Sequence, residues 1–505
     1  MLYVRLLTGT CLLICLAGLR AAYAQPVPDR QAIHVLNRLA FGPTLQDFHR
    51  VKAIGVDRYV AEQLAPEAIP EAFELGWRLA AFDTLKYNAV ELRQLYGPLP
   101  SIRGFKLPSE FAKAREQRAR AIVREAAQAR ILRAVLSPRQ LQEVMIDFWF
   151  NHFNVFAGKE LDDLWIGDYE QRAIRPFVLG HFRDLLFAAT KHPAMLVYLD
   201  NTLSTSPASP GGRNSKVGLN ENFAREVMEL HTLGADGGYS EEDVVTLARI
   251  LTGWRVNRPD AREFPEYAAV FEGARHDFNP KVFLGHQLRS SGKAEGEEAL
   301  DILAKSPATA RHISFKLAQY FVADEPSAAL VEQLAARFLA TGGDIRDLLK
   351  VLFSSGEFWE SYGQKYKTPY HFVVSATRAA GAPVNNTRPL LAAIGQLGMP
   401  LFGCLTPDGY KNTEAAWLSP DATTRRISFA TAFARGGLPV GSIPSDPAGG
   451  VLDSSVPLRT SPVDAARLEQ IFGSTMSGPT REAIAEAPQA LRSALILGSP
   501  DFMRR

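Results

Sequence analysis

The stretch NENFAREVMELHTLG, residues 220–234, carries Asn222, Arg225, Glu226 and Glu229 at helical spacing, and His231 follows two places after the last glutamate. Carboxylates near an arginine can be held in opposite protonation states, which acid–base chemistry requires. A second stretch, MIDFWFNHFNVF at 145–156, repeats the design. There Asp147, Asn151 and Asn154 share one side, and Met145, Phe148, Trp149 and Phe153 share the other with His152. At about 100° per residue, Glu229 and His231 point in nearly opposite directions. A metal pair on one helix wants a spacing of three or four, so a metal at His231 needs partners from elsewhere in the fold.

Two readings fit both stretches. In one, the polar rows tie helices together and each histidine donates to a backbone carbonyl. In the other, the rows line a cleft where Glu226 or Glu229 is the general base. His152 and His231 are then proton carriers or metal ligands, and Asp147 joins them as a catalytic carboxylate. Just upstream, PGGRNSKVGLN is a basic, glycine-rich lead-in to a helix capped by Asn220, where free backbone N–H groups favour anions. Arg213 and Lys216, with Asn222 and Arg225, are the candidate anchors for an anionic substrate group. The lead-in lacks Walker spacing, which excludes a nucleoside triphosphate site of that type. His276-Asp277 in EGARHDFNPK is a third place where a metal or a substrate hydroxyl could be held. No pattern specifies a cofactor.

The elements that must position these residues are mostly helices. Helical periodicity and cap signals mark 31–40, 45–55, 109–136, 138–156, 161–175, 180–191, 219–234 and 240–253. Thr44 with Asp47 and Ser240 with Asp243 form capping boxes. From Trp254 to Gly292 the pattern changes to short aromatic and β-branched runs broken by Pro and Gly, a small β hairpin or ribbon. Helices resume at 295 and continue through 307–322, 326–340, 344–355, 368–380, 388–397, 421–435, 461–472 and 487–497. The segments 203–218 and 437–462 are rich in Ser, Pro and Gly and read as mobile loops. LFSSGEFW (352–359) and ILGSPDFM (496–503) echo one another, each following an apolar helix with a Ser-x-acid-Phe exit. The expected fold is a large, mainly α, bundle-like body with a β insertion near 254–292. Helical regions lie at 25–254 and 293–505, and the two can interlock as one domain.

The chain opens with Arg5, an apolar run from Leu6 to Leu19 and Ala22-Tyr23-Ala24, which predicts a signal peptide over 1–24 cleaved after Ala24. The run is too short to span a bilayer, and no other stretch is long enough for a stable membrane span. Export to the periplasm or medium follows. Loss of Arg5 and Arg20 leaves 54 basic and 54 acidic residues. That balance argues against nucleic acid as the partner. Cys404 remains as the sole cysteine after cleavage, so no internal disulfide can form.

Several stretches resemble the DUF1800 family, an uncharacterised bacterial family, in the family's order. They are DFWFNHFNV (147–155), NENFAREVMELHTLGADGGYSEEDV (220–244), ARILTGW (248–254), HDFNPKVFLG (276–285), PATARHISFKLAQYFV (307–322) and KTPYHFVVSATRAAG (367–381). The resemblance implies an exported, largely helical protein. It also implies an exported companion of the alkaline phosphatase and sulfatase type, and a joint role on cell-surface or extracellular material. It supplies no reaction. His371 stands where the family usually has an acidic residue, and Tyr410 where it usually has Trp. The alternative to an enzyme is a non-catalytic binding or assembly factor.

Overall fold

A computed structural model describes residues 27–97, 109–212, 218–257, 269–289, 291–442 and 460–505. The segment 1–24 expected to be a signal peptide, Arg213, Lys216 and residues 443–459 lie outside the described residues. Helices dominate, and the β structure among the described residues is two short antiparallel hairpins. Trp254–Val256 pairs with Ala269–Phe271, setting Trp254 opposite Phe271. Val282–Phe283 pairs with His286–Gln287 around Leu284-Gly285, both at positive φ, as a tight two-residue hairpin turn requires. The body is therefore mainly α, with small β hairpins in the segment where the helical period fails.

The local signals act as chemistry dictates. Both capping boxes form, each with the hydroxyl accepting from the backbone three residues on and the aspartate reaching back. The echoed exits are one device used twice. Ser355 Oγ accepts from Phe358 N at 3.2 Å and Ser499 Oγ from Phe502 N at 3.1 Å, and each cap seats its phenylalanine in the core. Three helices at Val56–Gln63, Phe73–Ala80 and Ala89–Tyr96 lie where the sequence pattern marks none.

One apolar cluster takes in Leu36, Trp149, Leu317, Phe372 and Phe502, so distant segments share a core. Two buried indoles meet carbonyls: Trp149 Nε1 donates to Val178 O at 3.1 Å and Trp165 Nε1 to Ala89 O at 2.9 Å. The described part of the 203–218 loop is packed. Thr205, Ser206 and Ser209 are buried, and Ser206 N and Gly211 N donate to Arg275 O and Ala274 O. The ends of the 437–462 loop are likewise tied, through Asn385 N to Val440 O and Thr460 N to Gly436 O.

Candidate functional site

Both histidine-bearing helices end sooner than their periodicity suggests. The helix capped by Asn220 is Glu221–Glu229, and Asn220 Oδ1 accepts from Phe223 N at 3.0 Å. Beyond Glu229 the turn widens: His231 N donates to Glu226 O at 3.1 Å and Leu233 N to Met228 O at 2.7 Å, each spanning five residues. Gly234, at φ +84°, then redirects the chain. His231 thus sits in an exit turn and not on the helix. The other helix is Gln140–His152, so Asn154 also lies past its end, and Pro138 precedes the first turn instead of filling it.

The two exits meet. His152 Nε2 lies 3.1 Å from His231 O, and because a carbonyl only accepts, that nitrogen carries the proton. The rings of His152 and His231 are 6.1 Å apart, and His312, from the Pro307–Phe321 helix, stands 6.2 Å from His152. His312 Nε2 contacts Leu230 O at 3.3 Å. Burial lowers all three histidines: His152 well below the usual imidazole range, His231 to about 3 and His312 to about 4. Both ring nitrogens of His231 are buried without a partner among the described residues. Burial holds these rings neutral.

The asparagines do not reach the carboxylates. Asn151 brackets Tyr410, accepting from its N–H at 2.7 Å and donating to its carbonyl at 2.8 Å. Asn154 Nδ2 donates to Cys404 O at 3.1 Å and Thr406 O at 2.9 Å, and the Tyr198 hydroxyl donates to Leu405 O at 2.9 Å. Gly409 is required where the loop passes the helix end: its φ is +69°, and a Cβ there would lie 2.2 Å from Asn151 O. Three side chains thus clamp the 404–410 loop.

That clamp delivers Asp408 to the neighbourhood of Glu226. Glu226 is half-buried and forms no hydrogen bond or ion pair with a described residue. Its carboxyl is raised by burial first and then by Glu229 and Asp408. Burial also pushes Asp408 upward, but bonds from Lys411 Nζ and Thr406 Oγ1, both at 2.6 Å, outweigh it and leave Asp408 lowered. Lys316, one turn after His312, is also half-buried without a bonded partner among the described residues. Burial lowers its amine, Lys411 adds to that, and Asp408 opposes it. This part-exposed pole therefore holds Glu226, Glu229, Asp408, Lys316 and Lys411. Sequence reasoning missed His312, Lys316 and Asp408, although a His and a Lys four apart on one helix share a face.

The remaining candidates lie elsewhere. Asp147 is buried and accepts from Arg130 at 2.8 Å and from the Tyr320 hydroxyl at 3.3 Å. It belongs to an ion network with Glu170, Arg175 and Glu143, in which Arg175 grips Glu143 at 2.6 and 3.0 Å. Arg225 pairs with Glu241, and Asn222 is exposed. His276 Nε2 lies 3.2 Å from Glu295, which also accepts from Lys281. Asp277 accepts from Arg249 at 2.9 Å, Ser206 at 3.2 Å and Asn279 at 3.0 Å. These partners outweigh burial and hold its carboxyl to about 2. His276 and Asp277 pin the hairpin segment to the body. Among the described residues, no three His, Cys, Asp or Glu side chains are arranged to hold a metal ion. At the two noted departures from the family pattern, His371 Nε2 meets Arg505 Nη1 at 2.8 Å and the Tyr410 hydroxyl donates to Pro400 O at 2.9 Å.

Among the described residues, no helix is long and apolar enough to cross a membrane. No curated protein and no solved structure matches the chain. A family model described as a protein of unknown function, DUF1800, matches residues 34–504, nearly the whole length, and the chain belongs to that family.

Proposed function

We propose that the protein is an exported acid–base enzyme that hydrolyses a cell-surface or extracellular polymer, with a polysaccharide as the leading substrate class. The observation that carries this reading is the opposed pair. Glu226 is pushed up and has no ion-pair partner among the described residues, while its electrostatic neighbour Asp408 is pulled down. Environments that drive two neighbouring carboxyls apart assign one as acid and the other as base. Glu226 gives its proton to the leaving-group oxygen as the linkage breaks. Asp408 takes a proton from the water whose oxygen bonds to the released carbon. One water is consumed, and return of a proton to Glu226 resets the pair. Lys316 anchors a hydroxyl or an anionic substituent. The export signal and the companion implied by the family resemblance support a polymer outside the cytoplasm.

The test is release of reducing ends from a panel of neutral, sulfated and phosphorylated polysaccharides, with and without the phosphatase-like companion. Wild-type protein should release them, and Glu226→Gln and Asp408→Asn should each lower the rate by about 100-fold or more. Equal release by wild type and both variants, or none on any polymer, overturns the reading. A second reading, a non-catalytic assembly factor for the companion, is favoured by the neutral histidines and the loop-clamping asparagines. Stable co-purification with the companion, without turnover, would establish it.

A further inference from the structure

A second opening shares no residue with the Glu226 pole. It is a cavity of about 720 Å³, a size typical of small-molecule sites, between the N-terminus of the Ala89–Tyr96 helix, the helical stretch carrying Asp168 and Arg172 and the first hairpin. Its apolar wall comes from Val90, Pro193, Val270 and the cross-strand pair Trp254 and Phe271. Charge is uneven. Arg172, Lys191 and Lys293 line it, and Asp168 is the one carboxylate among the described lining residues. Both Asp168 oxygens are already taken, by Arg172 Nε at 2.6 Å and His192 Nε2 at 3.0 Å.

The cations are placed to act on a guest. Lys191 Nζ lies 5.0 Å from the Trp254 ring centroid while pairing with Glu297 at 2.5 Å. Lys293 is exposed, forms no hydrogen bond or ion pair with a described residue, and is the first residue of the 13-residue Lys293–Lys305 helix. A helix N-terminus disfavours a cation, and the two positive contributions together favour an anion in the opening. His192 Nδ1 accepts from Ala194 N at 3.2 Å, so neither ring nitrogen is free for acid–base work.

We propose that this cavity binds a small amphiphilic anion, a flat or aliphatic body carrying one carboxylate or sulfonate, with the body against Trp254 and Phe271 and the charge between Lys191 and Lys293. The probe is 8-anilinonaphthalene-1-sulfonate, followed by its own emission and by Trp254 quenching, against the uncharged N-phenyl-1-naphthylamine. Wild type should bind the sulfonate saturably at one site and the neutral amine more weakly. Lys191→Gln with Lys293→Gln should weaken the sulfonate by about fivefold, as loss of two partly screened contacts implies. Val270→Trp, which fills the cavity from a partly exposed strand, should abolish binding at unchanged melting temperature. Equal affinity for the neutral amine, undiminished binding in a folded Val270→Trp protein, or no saturable binding overturns the proposal. Glu226→Gln should leave this binding intact, so the two sites are tested separately.

Discussion

Replacing His231 by leucine should make the protein less sensitive to acid without harming it at neutral pH. The ring is 1% exposed, both its nitrogens lack partners among the described residues, and burial holds it neutral down to about 3 from an ordinary value of 6.5. The folded state therefore stays unprotonated while the unfolded chain takes up a proton below 6.5. Stability from this group is complete above that value and drains as pH falls towards 3. Each pH unit removes about 1.4 kcal/mol, so two units, to pH 4.5, remove about 3 kcal/mol. In a chain of this length that is a melting shift on the order of 3 °C. Leucine has similar volume and leaves no orphaned nitrogen, so its cost at pH 7.5 should be small. The assay is thermal unfolding of both proteins at several pH values from 7.5 to 4.5. Between pH 6.5 and 4.5 the wild type should lose about 3 °C more than the variant. Parallel acid curves would refute the reasoning, because they would mean that water reaches the ring and that it titrates normally.

Other perturbations separate the clamp from the chemistry. Asn154→Ala removes two donations to the 404–410 loop and takes the donor from the carbonyl of buried Cys404, a cost of about 1–3 kcal/mol. Limited proteolysis should then cut that loop sooner. Gly409→Ala should destabilise the same loop by at least as much, and unchanged melting would show that the loop does not pack against Asn151 as described. Asp147→Asn uncouples a buried pair from Arg130 and should cost about 3–5 kcal/mol, read in thermal unfolding. N-terminal sequencing of exported protein should begin at Gln25, and a start elsewhere contradicts the signal-peptide reading.

Much of this fold was legible because its signals are local. Ser240 and Asp243, or Ser355 and Phe358, are within three residues of each other, so their cap is written in the string. The hairpin segment declared itself by Pro, Gly and β-branched residues. The site was harder to read because its geometry depends on where helices stop. Periodicity carries on through Leu230 and His231, yet the backbone widens after Glu229, driven by carbonyl acceptors that no side-chain pattern reveals. The asparagine row was visible, but its partners lie about 250 residues away, so amides that looked like cleft walls proved to be loop clamps. Asp408 gave no signal, and Lys316 only its place four residues after His312, until the core brought their segments to the end of the Glu221–Glu229 helix.

The most direct test of the opposed carboxyl pair is a site-resolved titration of selectively 13C-labelled Glu and Asp side chains, assigned by difference against Glu226→Gln and Asp408→Asn. Glu226 should lose its proton above the ordinary glutamate range and Asp408 below the ordinary aspartate range. Two ordinary titrations, or the reverse order, would leave this pole without the division of labour on which the proposed chemistry stands.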